Sequence, residues 1–145
     1  MKALIQRVTS AHVAVDGEVI GCIDKGLLVL LGIDKNDSAS NSARLLDRLL
    51  TYRIFPDEQQ RMNRNVVEAS GGLLIVSQFT LAADTSKGTR PSFSSAAPPQ
   101  LAEQLYEEFL TALRARHQPV ACGRFGANMQ VHLVNDGPVT FLLEA

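Results

Sequence analysis

Val131-His132-Leu133-Val134, then Asn135-Asp136-Gly137-Pro138, then Val139-Thr140-Phe141-Leu142-Leu143 follow one another near the C-terminus. Two apolar, strand-like runs are separated by a Gly-Pro pair, at a place where a strand normally excludes proline. Proline has no N–H to donate to a ladder, so within sheets it is confined to edges, bulges and turns. X-Pro is also the one peptide bond for which the cis form carries only a small penalty. These residues leave two readings open: an ordinary hairpin turn, or a backbone feature that presents its carbonyls for a purpose.

Upstream, residues 2–8 and 12–15 alternate in the manner of strands, and Asp16-Gly17 supplies a hairpin-type turn before Val19-Ile20. A second turn is expected at Lys25-Gly26. Leu27-Leu28-Val29-Leu30-Leu31-Gly32-Ile33 is apolar at every position, which predicts a central strand covered on both faces. Asp37 or Ser38 can cap a helix whose apolar positions are Ala39, Ala43, Leu46, Leu49 and Leu50. Phe55-Pro56-Asp57 is expected to end that helix, residues 57–65 read as a polar loop, and Gly71-Gly72 precedes a buried strand, Leu73-Leu74-Ile75-Val76. Residues 82–98 form a long polar loop, a length that inside compact domains usually carries function. Pro98-Pro99 opens a second helix with Leu101, Leu105, Phe109, Ala112 and Leu113 as its stripe. Val120–Cys122, Met129–Val134 and Val139–Leu143 close the chain. The expected architecture is α/β: one domain over residues 1–145, with a mixed or antiparallel sheet covered on one face by two main helices.

A chain of 145 residues with 46% apolar and 20% charged residues suits one well-cored domain. Its net charge of −1 excludes a global basic field, so any RNA contact must be local. The start, Met1-Lys2-Ala3-Leu4-Ile5-Gln6-Arg7, runs directly into a strand without a signal-peptide core, and no segment has bilayer-spanning length, so a cytoplasmic location is expected. Cys22 and Cys122 lie far apart without CxxC or a neighbouring His. They are read as small buried apolar residues rather than a zinc site or a disulfide, and no metal or cofactor is expected.

The strand Leu73–Val76 delivers Ser77-Gln78-Phe79-Thr80 at its C-terminal end, where a rigid element can fix binding groups. Hydroxyls, an amide and the N–H groups of the turn are available there to stabilise an oxyanion. On residue types alone, polar residues satisfying local hydrogen bonds are the simpler reading. His12, His117 and His132 are the candidate bases, yet each is better placed for a structural or solvent-facing role, and no Ser-His-Asp, HExxH, GxSxG or phosphate-cradling loop occurs. An enzyme built this way depends on backbone dipoles and positioning. Lys87 and Arg90, with the hydroxyls and Phe93 of the same loop, are a candidate phosphate or RNA contact; a solvated loop is the alternative. Gly123-Arg124-Phe125-Gly126-Ala127-Asn128-Met129 mixes small residues with two able to line a pocket.

Three stretches carry a close resemblance to the D-aminoacyl-tRNA deacylases across essentially the whole chain: Arg7-Val8-Thr9-Ser10-Ala11-His12-Val13, SQFTLAADTSKGTRPSF (Ser77 to Phe93) and GRFGANMQVHLVNDGPVTF (Gly123 to Phe141). The family signatures S-Q-x-T and N-x-G-P-x-T stand as Ser77-Gln78-Phe79-Thr80 and Asn135-Asp136-Gly137-Pro138-Val139-Thr140, with no departure at a motif position. The resemblance implies a barrel-like sheet and a homodimer. It implies hydrolysis of the ester joining a D-amino acid to the 3′ end of tRNA, and of glycine mischarged onto tRNA. It further implies a cis Gly137-Pro138 bond, inserted by each subunit into its partner's pocket beside Ser77–Thr80, whose carbonyls hold the substrate α-amino group and exclude an L side chain. Arg7 is expected to orient that loop, and Phe125, Ala127 and Met129 to line the pocket near the terminal adenosine.

For the chemical step, water attack assisted by N–H groups around Gln78–Thr80 and by the terminal ribose hydroxyl is preferred over a Thr80 or Ser77 nucleophile. A non-catalytic dimeric RNA-binding module is the remaining alternative.

Overall fold

The computed structural model describes residues 1–145. Its sheet is built on Leu27–Ile33, as the all-apolar run predicts. β1 (Lys2–Val15), β2 (Glu18–Ile23), β3 (Gly26–Gly32) and, after the helix α1 (Ala39–Thr51), β6 (Gly72–Ser77) form the sheet, with β4 (Phe55–Pro56) and β5 (Met62–Arg64) as a separate two-stranded ribbon. A one-turn 3₁₀ helix (Phe79–Ala82), α2 (Pro99–Arg114), β7 (Val120–Cys122) and β8 (Gln130–Glu144) complete the chain.

The strand order is β2-β1-β3-β6-β7, with β8 added along β1. β3, β6 and β7 run parallel to one another; β1 is antiparallel to β2, β3 and β8. A Cβ on Gly21 of β2 would stand 2.7 Å from the Cys122 carbonyl of β7, so the two ends of the path approach and the sheet is nearly closed like a barrel.

Period-two alternation then divides the core. Leu27, Val29 and Leu31 of β3 with Leu73 and Ile75 of β6 meet the helices, alongside Leu45, Leu49, Phe109 and Leu113. Their neighbours Leu28, Leu74 and Val76 face the other way and pack with Val8, Val13 and Ile23. Both helices therefore cover one face, as expected.

Several expectations need correction. The first helix ends at Thr51, where Tyr52 turns extended, and Phe55-Pro56 form β4 rather than its stop. Residues 2–8 and 12–15 are one continuous strand, kept in step by register shifts near Gln6/Val8 and Val8/Ser10. The segment 57–65 is not a plain loop: the Asp57 carboxylate accepts from the N–H groups of Gln59 and Arg61 and from Asn63 Nδ2, which turns β4 back onto β5. In α1, capped by Ser38 with Asn41 in a capping box, Ala39 and Ala43 are exposed while Ser42 and Leu45 take the buried face; in α2, Ala112 is exposed. Short alanines at stripe edges carry too little apolar surface to decide a helix's rotation. Cys22 is exposed and Cys122 half-buried, because alternation on short outer strands turns one to solvent and leaves the other only partly covered. The 82–98 loop is tied by paired bonds between Asp84 and Ser92 and by a bridge from Asp34 to Ala96. No helix is long and apolar enough to cross a membrane.

Candidate active site

Parallel pairing of β3 with β6 ends at Leu31 and Ser77, and the Gln78 N–H continues the ladder to the Leu31 carbonyl at 2.8 Å. The chain then turns through Phe79–Ala82. Here it borders a cleft of about 460 Å³, within the size range of small-ligand sites. Val76, Ser77, Gln78 and Phe79 form one side; Phe125, Gly126, Ala127, Asn128, Met129 and Val131 form another; Ala97, Pro99 and Ala102, at the start of α2, close the third.

Six of the expected site residues thus meet here: Ser77, Gln78, Phe79, Phe125, Ala127 and Met129. Met129 reaches the cleft by lying against Gly123, where any Cβ would stand 2.6 Å from its Sδ. Thr80 sits exposed beside the cleft, its Oγ1 accepting a hydrogen bond from Gln78 Nε2. Phe79 is 62% exposed, and its N–H and that of Thr80 open the 3₁₀ turn, where no intrahelical acceptor exists. The Gln78 N–H, counted among the oxyanion donors from sequence, is spent on Leu31, so Phe79 and Thr80 carry the unclaimed donors.

The cleft lining contains no ionisable side chain. His12 and His132 are cross-strand partners stacked on each other at 4.4 Å, and His117 is buried with Nε2 2.7 Å from the Gly71 carbonyl. None of the three lines the cleft, as their structural reading predicted. Beneath it, Tyr106 donates to the Ile75 carbonyl at 3.0 Å, and burial pushes its phenol well above its ordinary pKa. A neutral, largely apolar cleft with free N–H groups at its edge suits polarising a carbonyl more than transferring protons through side chains.

The Gly-Pro pair is neither of two strands joined by a hairpin nor part of this cleft. It lies inside β8, which pairs with β1 on both sides of it: Gln6 faces Thr140 and Val8 faces Asn135, so Asp136–Val139 bulge opposite Arg7 alone. Proline is tolerated in such a bulge because no ladder bond is required of it there. The Gly137–Pro138 bond is cis, as the resemblance implied, and both residues are exposed. Gly137 has φ +130, and a Cβ there would press on Val139 and on the Arg7 guanidinium.

Arg7 is not a surface cation. Its side chain is 11% exposed; Nε donates to the Asp136 carbonyl at 3.2 Å and pairs with its carboxylate at 3.1 Å, while Nη1 donates to the Ile54 carbonyl at 2.7 Å. Asn135 braces the other flank, accepting from the Val139 N–H at 3.1 Å and donating to Thr140 Oγ1 at 3.0 Å. The bulge stands on β8 opposite Arg7, Arg7 pairs with Leu27 and Ser77 with Leu31, so Gly137-Pro138 and Ser77 are three strand spacings and four residues apart, or about 14 Å across and 13 Å along the sheet. The two signatures of one chain therefore lie on separate parts of its surface. Lys87 and Arg90 are exposed on the loop beyond Asp84 and hold no ion pair.

Sequence reasoning missed the α2 wall. An alanine at 102, on a helix face otherwise carrying Leu105, Phe109 and Leu113, was the available signal of a space left open.

Comparison with known proteins fits this geometry. The D-Tyr-tRNA(Tyr) deacylase family model matches residues 4–144. A D-aminoacyl-tRNA deacylase of Stutzerimonas stutzeri is 62% identical over the full length of both chains, and one of Pseudomonas aeruginosa is 57% identical, again over all of both. Among solved structures, one described as a c-Myc DNA unwinding element binding protein superposes with a TM-score of 0.96 at 43% identity, covering 100% of this chain and 99% of that one. A probable eukaryotic D-amino acid tRNA deacylase shares the fold at a TM-score of 0.81 and 18% identity, covering 99% of this chain and 98% of that one. The chain belongs to the D-Tyr-tRNA(Tyr) deacylase family, hydrolases of the ester bond in D-aminoacyl-tRNA.

Proposed function

We propose that the chain works as a homodimer in the cytoplasm, in which each subunit lends Gly137 and Pro138 to its partner's cleft. There it removes D-amino acids, and glycine mischarged onto tRNA, from the 3′ end. The observation that carries this reading is the separation of the two signatures. Ser77–Thr80 opens a neutral cleft, while Gly137–Pro138 stands exposed on a bulge that lines none of it. A second copy reconciles them. β8 pairs only with β1 and leaves Val134 57% and Leu142 51% exposed, an apolar edge that a partner would cover.

In this arrangement the Gly137 and Pro138 carbonyls accept from the substrate ammonium, held in place by Arg7 and Asn135. An L side chain would meet rigid backbone; a D side chain or a glycine hydrogen would not. The terminal nucleoside occupies the space between Phe125, Ala127 and Met129. Water attacks the ester carbonyl, the Phe79 and Thr80 N–H groups take the developing oxyanion, and the bond to the ribose oxygen breaks as that oxygen is reprotonated, with the adjacent ribose hydroxyl assisting. Ser77, Gln78 and Thr80 side chains position the turn; Lys87 and Arg90 meet tRNA phosphates.

The test is deacylation of matched D-Tyr-tRNA, L-Tyr-tRNA and Gly-tRNA by purified protein, with its mass in solution measured alongside. The D and Gly esters are cleaved and the L ester spared. Equal cleavage of D and L esters refutes the chiral filter, binding without turnover favours an RNA-binding module, and a fully active monomer refutes the shared site.

A further inference from the structure

We propose that Phe79 and Phe93 form a stacking platform at the rim of the cleft for the unpaired base preceding the terminal adenosine of the tRNA. The inference rests on the function proposed above and adds a subsite to it. Phe79 is 62% and Phe93 42% exposed, and their ring centroids lie 5.1 Å apart at an interplanar angle of 43°. Two phenylalanines side by side at the rim present aromatic faces that the chain itself leaves uncovered, a surface suited to stacking.

Phe93 is placed by backbone bonds rather than by packing. Asp84 and Ser92 exchange N–H···O bonds at 2.8 and 2.9 Å just before it, and the Phe93 carbonyl accepts from Ala96 at 3.1 Å. The following residues are fastened to the end of β3, with the Lys35 N–H donating to Ser95 O at 2.9 Å and Lys35 Nζ to Ser94 O at 3.0 Å. Phe79 is the member shared with the cleft wall.

A cleft of about 460 Å³ accommodates one small ligand, so a polynucleotide whose last nucleoside lies inside must leave across the rim. Beside Phe93 the loop carries Lys87 and Arg90, with Lys35 on the other side, all exposed. The acidic groups there are Asp84, whose carboxylate accepts from the Ser86 N–H at 2.9 Å, and Asp34, which faces Lys2 at 3.8 Å. On a chain of net charge −1, this is a local excess of cations next to exposed aromatics, the combination that tracks a single-stranded backbone while stacking its bases.

Steady-state kinetics on two substrates test it: D-Tyr-tRNA, and 3′-(D-tyrosyl)adenosine, which lacks every upstream nucleotide. Loss of an aromatic stacking partner typically costs about tenfold or more in binding. Phe93→Ala is therefore expected to raise KM for D-Tyr-tRNA by about tenfold, leave KM for the adenosine ester and both kcat values unchanged, and be rescued by Phe93→Trp. An equal effect on both substrates, no effect on either, or a change in oligomeric state with Phe93→Ala overturns the platform. Wild-type protein that hydrolyses neither substrate overturns the underlying function instead, and is read from the same plate.

Discussion

Replacing Thr80 by Val separates a positioning hydroxyl from a nucleophile by several orders of magnitude. Valine keeps the branched shape and deletes one oxygen. In the structure that oxygen accepts a single hydrogen bond, from Gln78 Nε2, on an exposed turn. A neutral hydrogen bond of this kind contributes about 1 kcal/mol, or about fivefold in rate if the whole of it is expressed in the transition state. A covalent nucleophile behaves differently: its removal from a working triad costs on the order of 10⁶ in kcat. No histidine, carboxylate or amine lines the cleft to activate the hydroxyl, which places Thr80 on the small side of that gap. Single-turnover release of D-tyrosine from D-Tyr-tRNA, with enzyme in excess, reads the chemical step directly. Thr80→Val and Ser77→Ala are each expected to retain at least about a tenth of wild-type rate. A Thr80→Val enzyme slowed by more than about 10³-fold while still folded would refute backbone catalysis and restore the acyl-enzyme.

Two further outcomes follow from the site's supports. Gly137→Ala places a Cβ 2.6 Å from Val139 Cγ2 and 3.2 Å from Arg7 Nη2 at a φ of +130, so the bulge must shift; a cost of about 2 kcal/mol lowers Tm by roughly 4–8 °C, and deacylation falls further than stability does. An unchanged Tm and rate would contradict the packing described. Tyr106 has its pKa raised in the fold, chiefly by burial, so it binds its proton more tightly folded than unfolded. That contribution is complete below the unfolded phenol's value of about 10 and is lost as pH rises above it. Tyr106→Phe, which deletes the bond to Ile75 O, is expected to cost about 1–2 kcal/mol near neutrality and to flatten the fall in stability between about pH 10 and 12, followed by denaturant titration. An equally steep alkaline fall in the variant would exclude Tyr106 as its source.

Much of this was legible along the chain because the signals are local. An unbroken apolar run at Leu27–Ile33 has no stable home except between covered faces, and it is the central strand. Pro98-Pro99 starts a helix because a first turn needs no N–H from proline. Both signature segments are contiguous in the sequence and need no fold to be recognised. Where the reading failed, the deciding quantity was non-local. Spacing alone turns Ala39 and Ala43 inward, yet burial of Ser42 and Leu45 sets the helix's rotation. Nothing local to residues 130–144 says whether the runs flanking Gly137-Pro138 double back or continue; pairing of both with β1 settles that they continue.

The residue types of this protein by themselves determined which groups are available: hydroxyls and an amide at Ser77–Thr80, a Gly-Pro pair, and no Ser-His-Asp, HExxH or GxSxG pattern. Only the tertiary structure decided where they stand. Parallel pairing of β3 with β6 aims Ser77–Phe79 into a neutral cleft closed by Ala102, a residue with no chemical signature at all. Pairing of β8 with β1 holds Gly137-Pro138 far from that cleft, against Arg7 and facing outward. A sequence specifies each segment's preferences at short range. The distance between two segments is set by which strands pair and in what register, a choice made by the whole core at once.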